Sequence, residues 1–174
     1  MAGGGIYNQT GVNALFAING NWLMGTGSTF NATAGTVQFS SDGNQSDFVN
    51  GTRQFFNILV DNNVNPGFSN TGPSAIPIKG DFTNNNNALV NSVNSTFIFN
   101  GTGNQIITTA VTNNNSTFGN FEISKPTGIL SLQSNLNVSG NISLLIGTFD
   151  LNSFRCNRST FGGTFLVSAN TFLY

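Results

Sequence analysis

The sequence predicts an all-β fold: a parallel β-solenoid (β-helix) of about 20-residue coils, roughly three coils to each 60-residue repeat. Three observations point there. A motif recurs at a fixed interval, apolar residues alternate with period two, and Asn- and Gly-rich stretches separate the alternating segments. A chain that copies itself at such an interval is built by stacking units, because one unit cannot bury its own apolar face.

The recurring motif is Ile18-Asn19-Gly20-Asn21-Trp22, which returns 60 residues later as Ile78-Lys79-Gly80-Asp81-Phe82 and again as Val138-Ser139-Gly140-Asn141-Ile142. Val37, Phe39, Asn44 and Gln45 match Phe97, Phe99, Asn104 and Gln105 at the same offset. Asn57-Ile58-Leu59-Val60 matches Asn120-Phe121-Glu122-Ile123 at 63, which places a three-residue insertion between the landmarks. Gly20, Gly80 and Gly140 are expected as bends, since Gly within an apolar run marks a kink or a close backbone approach. The units run over 16–75, 76–135 and an incomplete 136–174 within a single domain of 16–174. Residues 1–15 form a Gly-rich lead-in or a preceding coil.

Each strand follows from alternation. Thr36-Val37-Gln38-Phe39-Ser40, Thr96-Phe97-Ile98-Phe99-Asn100, Thr148-Phe149-Asp150-Leu151-Asn152 and Thr164-Phe165-Leu166-Val167-Ser168 each put apolar residues on one face of a half-buried strand. The predicted core is Trp22, Val37, Phe39, Phe82, Phe97, Phe99, Phe121, Phe149, Leu151 and Phe165. Between the strands lie clusters such as Asn62-Asn63-Val64-Asn65-Pro66-Gly67, in which Asn and Gly tolerate turn conformations. Strand starts fall about every 20 residues, wider than the 8–12 of an up-and-down sandwich. Stacked Asn side chains at the corners are expected to pair as amide ladders.

Composition narrows the function. Charged residues are 6% of the chain, against roughly 25% in an ordinary soluble domain, and the net charge is -1. With no basic patch to neutralise phosphates, nucleic acid is not an expected partner. No apolar run approaches the roughly 18 residues that span a bilayer as a helix, so a membrane-spanning role is not expected. Phe supplies 17 aromatics beside one Trp and two Tyr, which marks a chain that folds. Solubility rests on neutral amides and hydroxyls, a surface suited to an extracellular setting. The single Cys156 cannot form an internal disulfide and reads as a small buried apolar residue.

Chemistry is sparse. Histidine is absent, which removes the commonest general base and metal ligand. The acids Asp42, Asp47, Asp61, Asp81, Glu122 and Asp150 are scattered, so no catalytic residues and no cofactor are expected. Asp42-Gly43-Asn44-Gln45-Ser46-Asp47 is the one tempting calcium loop, with Asp42 and Asp47 as weak ligand candidates. Its repeat equivalent Thr102-Gly103-Asn104-Gln105 has lost both acids. Thr26, Thr29, Thr33 and Thr36 raise an ice-binding face, and Tyr7 and Trp22 raise stacking on sugars; the apolar equivalents Phe82 and Ile142 favour Trp22 as core.

Phe97-Ile98-Phe99-Asn100-Gly101-Thr102-Gly103-Asn104-Gln105-Ile106-Ile107, with Phe118-Gly119-Asn120-Phe121-Glu122-Ile123, resembles a unit of very large secreted proteins of Bacteroidota. Leu136-Asn137-Val138-Ser139-Gly140-Asn141-Ile142, Gly147-Thr148-Phe149-Asp150-Leu151 and Gly162-Gly163-Thr164-Phe165 continue the pattern. The chain from about residue 16 onward is similar to repeat-rich surface adhesins, including those of gliding motility. That resemblance implies export to the cell surface and a structural or adhesive role, with no catalytic residues to carry over. The expected function is therefore a stalk or filament segment of an extracellular adhesin. Its partners would be copies of itself or flanking repeats of a longer chain, and surface polysaccharide. A carbohydrate- or ice-binding module is the alternative, and a polysaccharide-active enzyme or phage tailspike ranks last.

Overall fold

The computed structural model describes residues 5–20, 22, 24–25, 27–40, 52–61, 74–85, 95–110, 117–158 and 163–174. The described residues are all β, with parallel sheets stacked as a β-solenoid whose coils lie about 23 residues apart. Three faces can be traced.

Face A carries β1 (Ile6–Gln9), β3 (Thr29–Ala32), β5 (Thr52–Gln54), β7 (Ser74–Ile78) and β9 (Ser95–Phe99). It continues through the first part of β12 (Asn120–Leu132), the first part of β14 (Ile142–Asp150) and β16 (Phe165–Val167). A lone bridge between Phe55 and Ile78 joins β5 to β7. Face B carries β2 (Leu15–Ile18), β4 (Thr36–Phe39), β6 (Asn57–Val60), β8 (Phe82–Asn84) and β10 (Gln105–Thr109), then the second parts of β12 and β14, and β17 (Phe172–Leu173). Face C is described for β11 (Thr117–Phe118), β13 (Leu136–Val138) and β15 (Cys156–Arg158). β12 and β14 pass from face A to face B without a break, and their mutual register shifts between Ile123 and Ile129, where the corner lies.

Period-two alternation becomes columns of stacked side chains. On face A, Ile76, Phe97, Phe121, Ile142 and Phe165 stand in successive register, beside a second column of Ile78, Phe99, Ile123, Leu144 and Val167. On face B, Val37, Ile58, Phe82 and Ile107 form the equivalent column. Phe97 and Phe99 are wholly buried while Ile98 between them is not, as a pleated strand requires. Each such side chain contributes roughly 1.5–3 kcal/mol against exposure. Val37, Phe39, Phe82, Phe121 and Phe149 are likewise buried. Trp22 and Leu151 are half-buried against the core, with Trp22 packed edge-on at 4.8 Å from Phe30 and 5.7 Å from Phe55. Phe165 departs from its expected place. It stands in register with buried Ile142, on the inward side, yet is 50% exposed because β16 has a pairing neighbour on one side only.

The 60-residue echo acquires a different meaning. Ile18 ends β2 on face B, Ile78 ends β7 on face A, and Val138 ends β13 on face C. The chain bends at Gly20, Gly80 and Gly140 after each of them. At 23 residues per coil, 60 residues is about 2.6 coils (60/23), so the motif moves round by one face at each recurrence.

Phe97→Ala is expected to reduce the free energy of unfolding by about 3–5 kcal/mol, and Phe165→Ala by less than about 1.5 kcal/mol. Urea unfolding of both variants checks this, and equal losses would contradict the column as described.

Candidate functional site

Reactive side chains are thinly spread. Among the described residues no group of three or more His, Cys, Asp and Glu comes together. Asp42 and Asp47 lie outside the described residues. Asp61 accepts a 2.8 Å bond from Gln38, and Asp150 accepts the Asn152 N–H at 2.8 Å within a turn. Burial holds the Glu122 carboxyl above its ordinary range. Thr29 lies on face A, Thr33 at the corner and Thr36 on face B, so these three share no flat face; Thr26 lies outside the described residues.

Polar side chains converge instead at the corner where face A turns into face B. The turn is closed by contacts between coils. Asn57 Oδ1 accepts the Asp81 N–H at 2.7 Å, and Asp81 Oδ1 accepts the Ile106 N–H one coil later at 2.8 Å. Asn104 Oδ1 accepts the Ile129 N–H at 3.1 Å. Each bond satisfies a backbone donor that the bend removes from the strand ladder. Gly80 is required here because a Cβ would collide with Asn57 Oδ1. The same arrangement recurs where face C turns into face A. Asn120 Oδ1 accepts the Asn141 N–H at 3.0 Å, Asn141 Oδ1 accepts the Thr164 N–H at 2.8 Å, and Gly140 leaves no room for a Cβ beside Asn120 Oδ1. Amide ladders also form along the strands, Gln54 donating to Asn31 at 3.0 Å and Asn157 to Asn137 at 3.1 Å.

Beneath the A/B corner sits a buried ammonium. Lys125 is wholly buried, and its Nζ donates to Gly101 O at 2.9 Å, Gly103 O at 2.7 Å and Gln105 Oε1 at 2.8 Å. Gln105 is also wholly buried; its Oε1 accepts the Gly101 N–H at 2.9 Å, and its Nε2 donates to Ile78 O and Gly80 O. Desolvation lowers the Lys125 pKa to about 8, with Asp81 opposing the shift and Lys79 adding to it. Arg53 is a second buried cation, in register with Phe30 in the face A column, and burial lowers its pKa to about 10. Neither buried cation was anticipated from the sequence. The signal was there: Lys125 has the parity of Phe121 and Ile123, and Arg53 that of Phe55.

Over the same corner runs an open groove of about 530 Å³. Phe56, Asn57, Lys79, Asp81, Thr102 and Asn104 supply most of its chemistry, from successive coils. Among the described residues Asp81 is its single carboxylate and Lys79 its single cation. Lys79 Nζ donates to Asn100 O at 3.2 Å. The groove offers amides, hydroxyls and one half-buried ring to a ligand, without a second carboxylate for general acid and base chemistry.

Lys125→Met leaves three acceptors without their donor and is expected to cost about 1–3 kcal/mol at neutral pH. Between about pH 8 and 10.5 the unfolded chain holds the Lys125 proton and the folded chain does not. The parent should therefore gain stability across that window, and lose it as pH falls through 8; Lys125→Met should lack that gain. Denaturant unfolding of both proteins from pH 7 to 10.5 tests the sign. Burial pushes the Cys156 thiol up to about 12, so at pH 8 Ellman's reagent should label it slowly in the folded protein and rapidly in denaturant. Equal rates would show an accessible thiolate.

Comparison of the chain with protein-family models, with curated proteins and with solved structures returned no match.

Proposed function

We propose that this chain is a structural segment, a β-solenoid stalk of an extracellular cell-surface adhesin or filament. The observation that carries the reading is the continuity of the side-chain columns. The same apolar positions stack from β7 to β16 on face A without interruption by a reactive cluster among the described residues. Parallel strands bonded coil to coil along one axis resist bending and stretching, which is what a stalk supplies. The near absence of charge, with a surface of amides and hydroxyls, suits a protein outside the cell. The resemblance of the repeat to surface adhesins points the same way.

The first and last strands of the faces favour extension by further coils or by a second copy. Tyr7, in register with buried Phe30, is 39% exposed at one end, and Phe165 and Leu173, in register with buried Ile142 and Phe149, are 50% and 40% exposed at the other. Among the described residues the end strands β1, β2, β16 and β17 each pair on one side only, and an open strand edge templates parallel pairing. Contact between unlike ends does not close on itself and produces filaments.

Electron microscopy of the purified chain, with sedimentation across a concentration series, tests this proposal. Rods or filaments whose length grows with concentration are expected, and Phe165→Lys, at an inward position of an end strand, should shorten them. Compact particles at every concentration would remove the filament reading.

A further inference from the structure

We propose that the groove along the A/B corner binds a linear, neutral oligosaccharide. Its charge comes from one Lys and one Asp, so no net field selects a phosphate or a polycation. Histidine is absent from the chain, and among the described residues Asp81 is the only carboxylate of the groove, too few oxygens of that kind for calcium and no ligand set for zinc. What remains is the chemistry of vicinal hydroxyls. Side-chain amides and a carboxylate take paired O–H groups, while a ring covers the apolar face of a sugar.

The corner ladder orients these groups before any ligand arrives. Asn57, Asp81 and Asn104 each spend one oxygen on a backbone N–H of the next coil. Their other polar atoms, Asn57 Nδ2, Asp81 Oδ2 and Asn104 Nδ2, make no hydrogen bond within the described structure. Two donors and one acceptor are thus held at fixed positions, with little side-chain entropy left to lose on binding. Phe56, half-buried between Phe55 and Asn57, contributes the ring. The lining extends from Thr33 to Asn104 over four successive coils, a length of about 14 Å at the spacing of paired strands. That length fits several sugar units in a row and is longer than one.

The test is titration of the full chain with cellohexaose, mannohexaose and xylohexaose, beside a sulfated hexasaccharide and the matching disaccharides. At least one neutral hexasaccharide should bind saturably and more tightly than its disaccharide. Asp81→Asn keeps the oxygen that caps Ile106 and replaces the free acceptor by a donor, so the fold is retained and binding should weaken at least about tenfold. Thr102→Arg, at an exposed loop position, should block the groove to a similar degree. Thermal unfolding followed by circular dichroism confirms that both variants fold. The proposal is overturned if no neutral hexasaccharide binds at millimolar concentration, if only the sulfated one binds, or if either folded variant binds like the parent.

Discussion

The structure depends on how backbone N–H groups are satisfied where a coil turns from one face to the next. Along a face, each strand bonds to the strand above and below. At a corner the backbone changes direction and the ladder fails, so its N–H groups take their partner from outside the ladder. The chain answers with an Asn or Asp side chain that reaches one coil onward to the exposed N–H, as Asn57, Asp81, Asn104, Asn120 and Asn141 do. Asn and Asp fit these positions because their oxygen lies close to the backbone. Four of the chain's Asn residues are accounted for in this way, by corners rather than by a binding role.

The same constraint accounts for the glycines beside these residues. When an Asn oxygen is drawn in to cap the neighbouring coil, the residue stacked over it cannot carry a Cβ, as Gly80 and Gly140 show. A Cβ at Gly20 would meet no atom of the described residues within 4 Å, so this bend does without that close approach. Gly-Asp-Phe at 80–82 and Gly-Asn-Ile at 140–142 are therefore one device: a glycine for clearance, an Asx for two hydrogen bonds and an apolar residue to open the next strand.

Much of this fold was legible because period-two alternation is insensitive to context: a strand with one buried face must alternate wherever it sits. Coil length was harder to read. Dividing a 60-residue echo into three gave about 20, whereas the motif advances by a face and the coils are about 23 apart. Lys and Arg are rarely buried. Parity nevertheless placed Lys125 and Arg53 inside, and the carbonyls that receive Lys125 come from a neighbouring coil 22 to 24 residues away, beyond the reach of local pattern. The corner groove was illegible for the same reason, since its lining is contiguous only after stacking.

The recurrence of one motif on three different faces has a consequence for how such a chain can lengthen. If every face asks for the same alternation and every corner for the same Asx and Gly, the faces are chemically interchangeable. A duplicated segment then need not contain a whole number of coils, because a copy that arrives one face out of step still meets strands it can pair with and corners it can turn. A closed barrel has no such freedom, since a slipped segment there breaks the ring. Where that condition holds, the architecture admits growth by inexact copying, and the uneven offsets of 60 and 63 fit such a history.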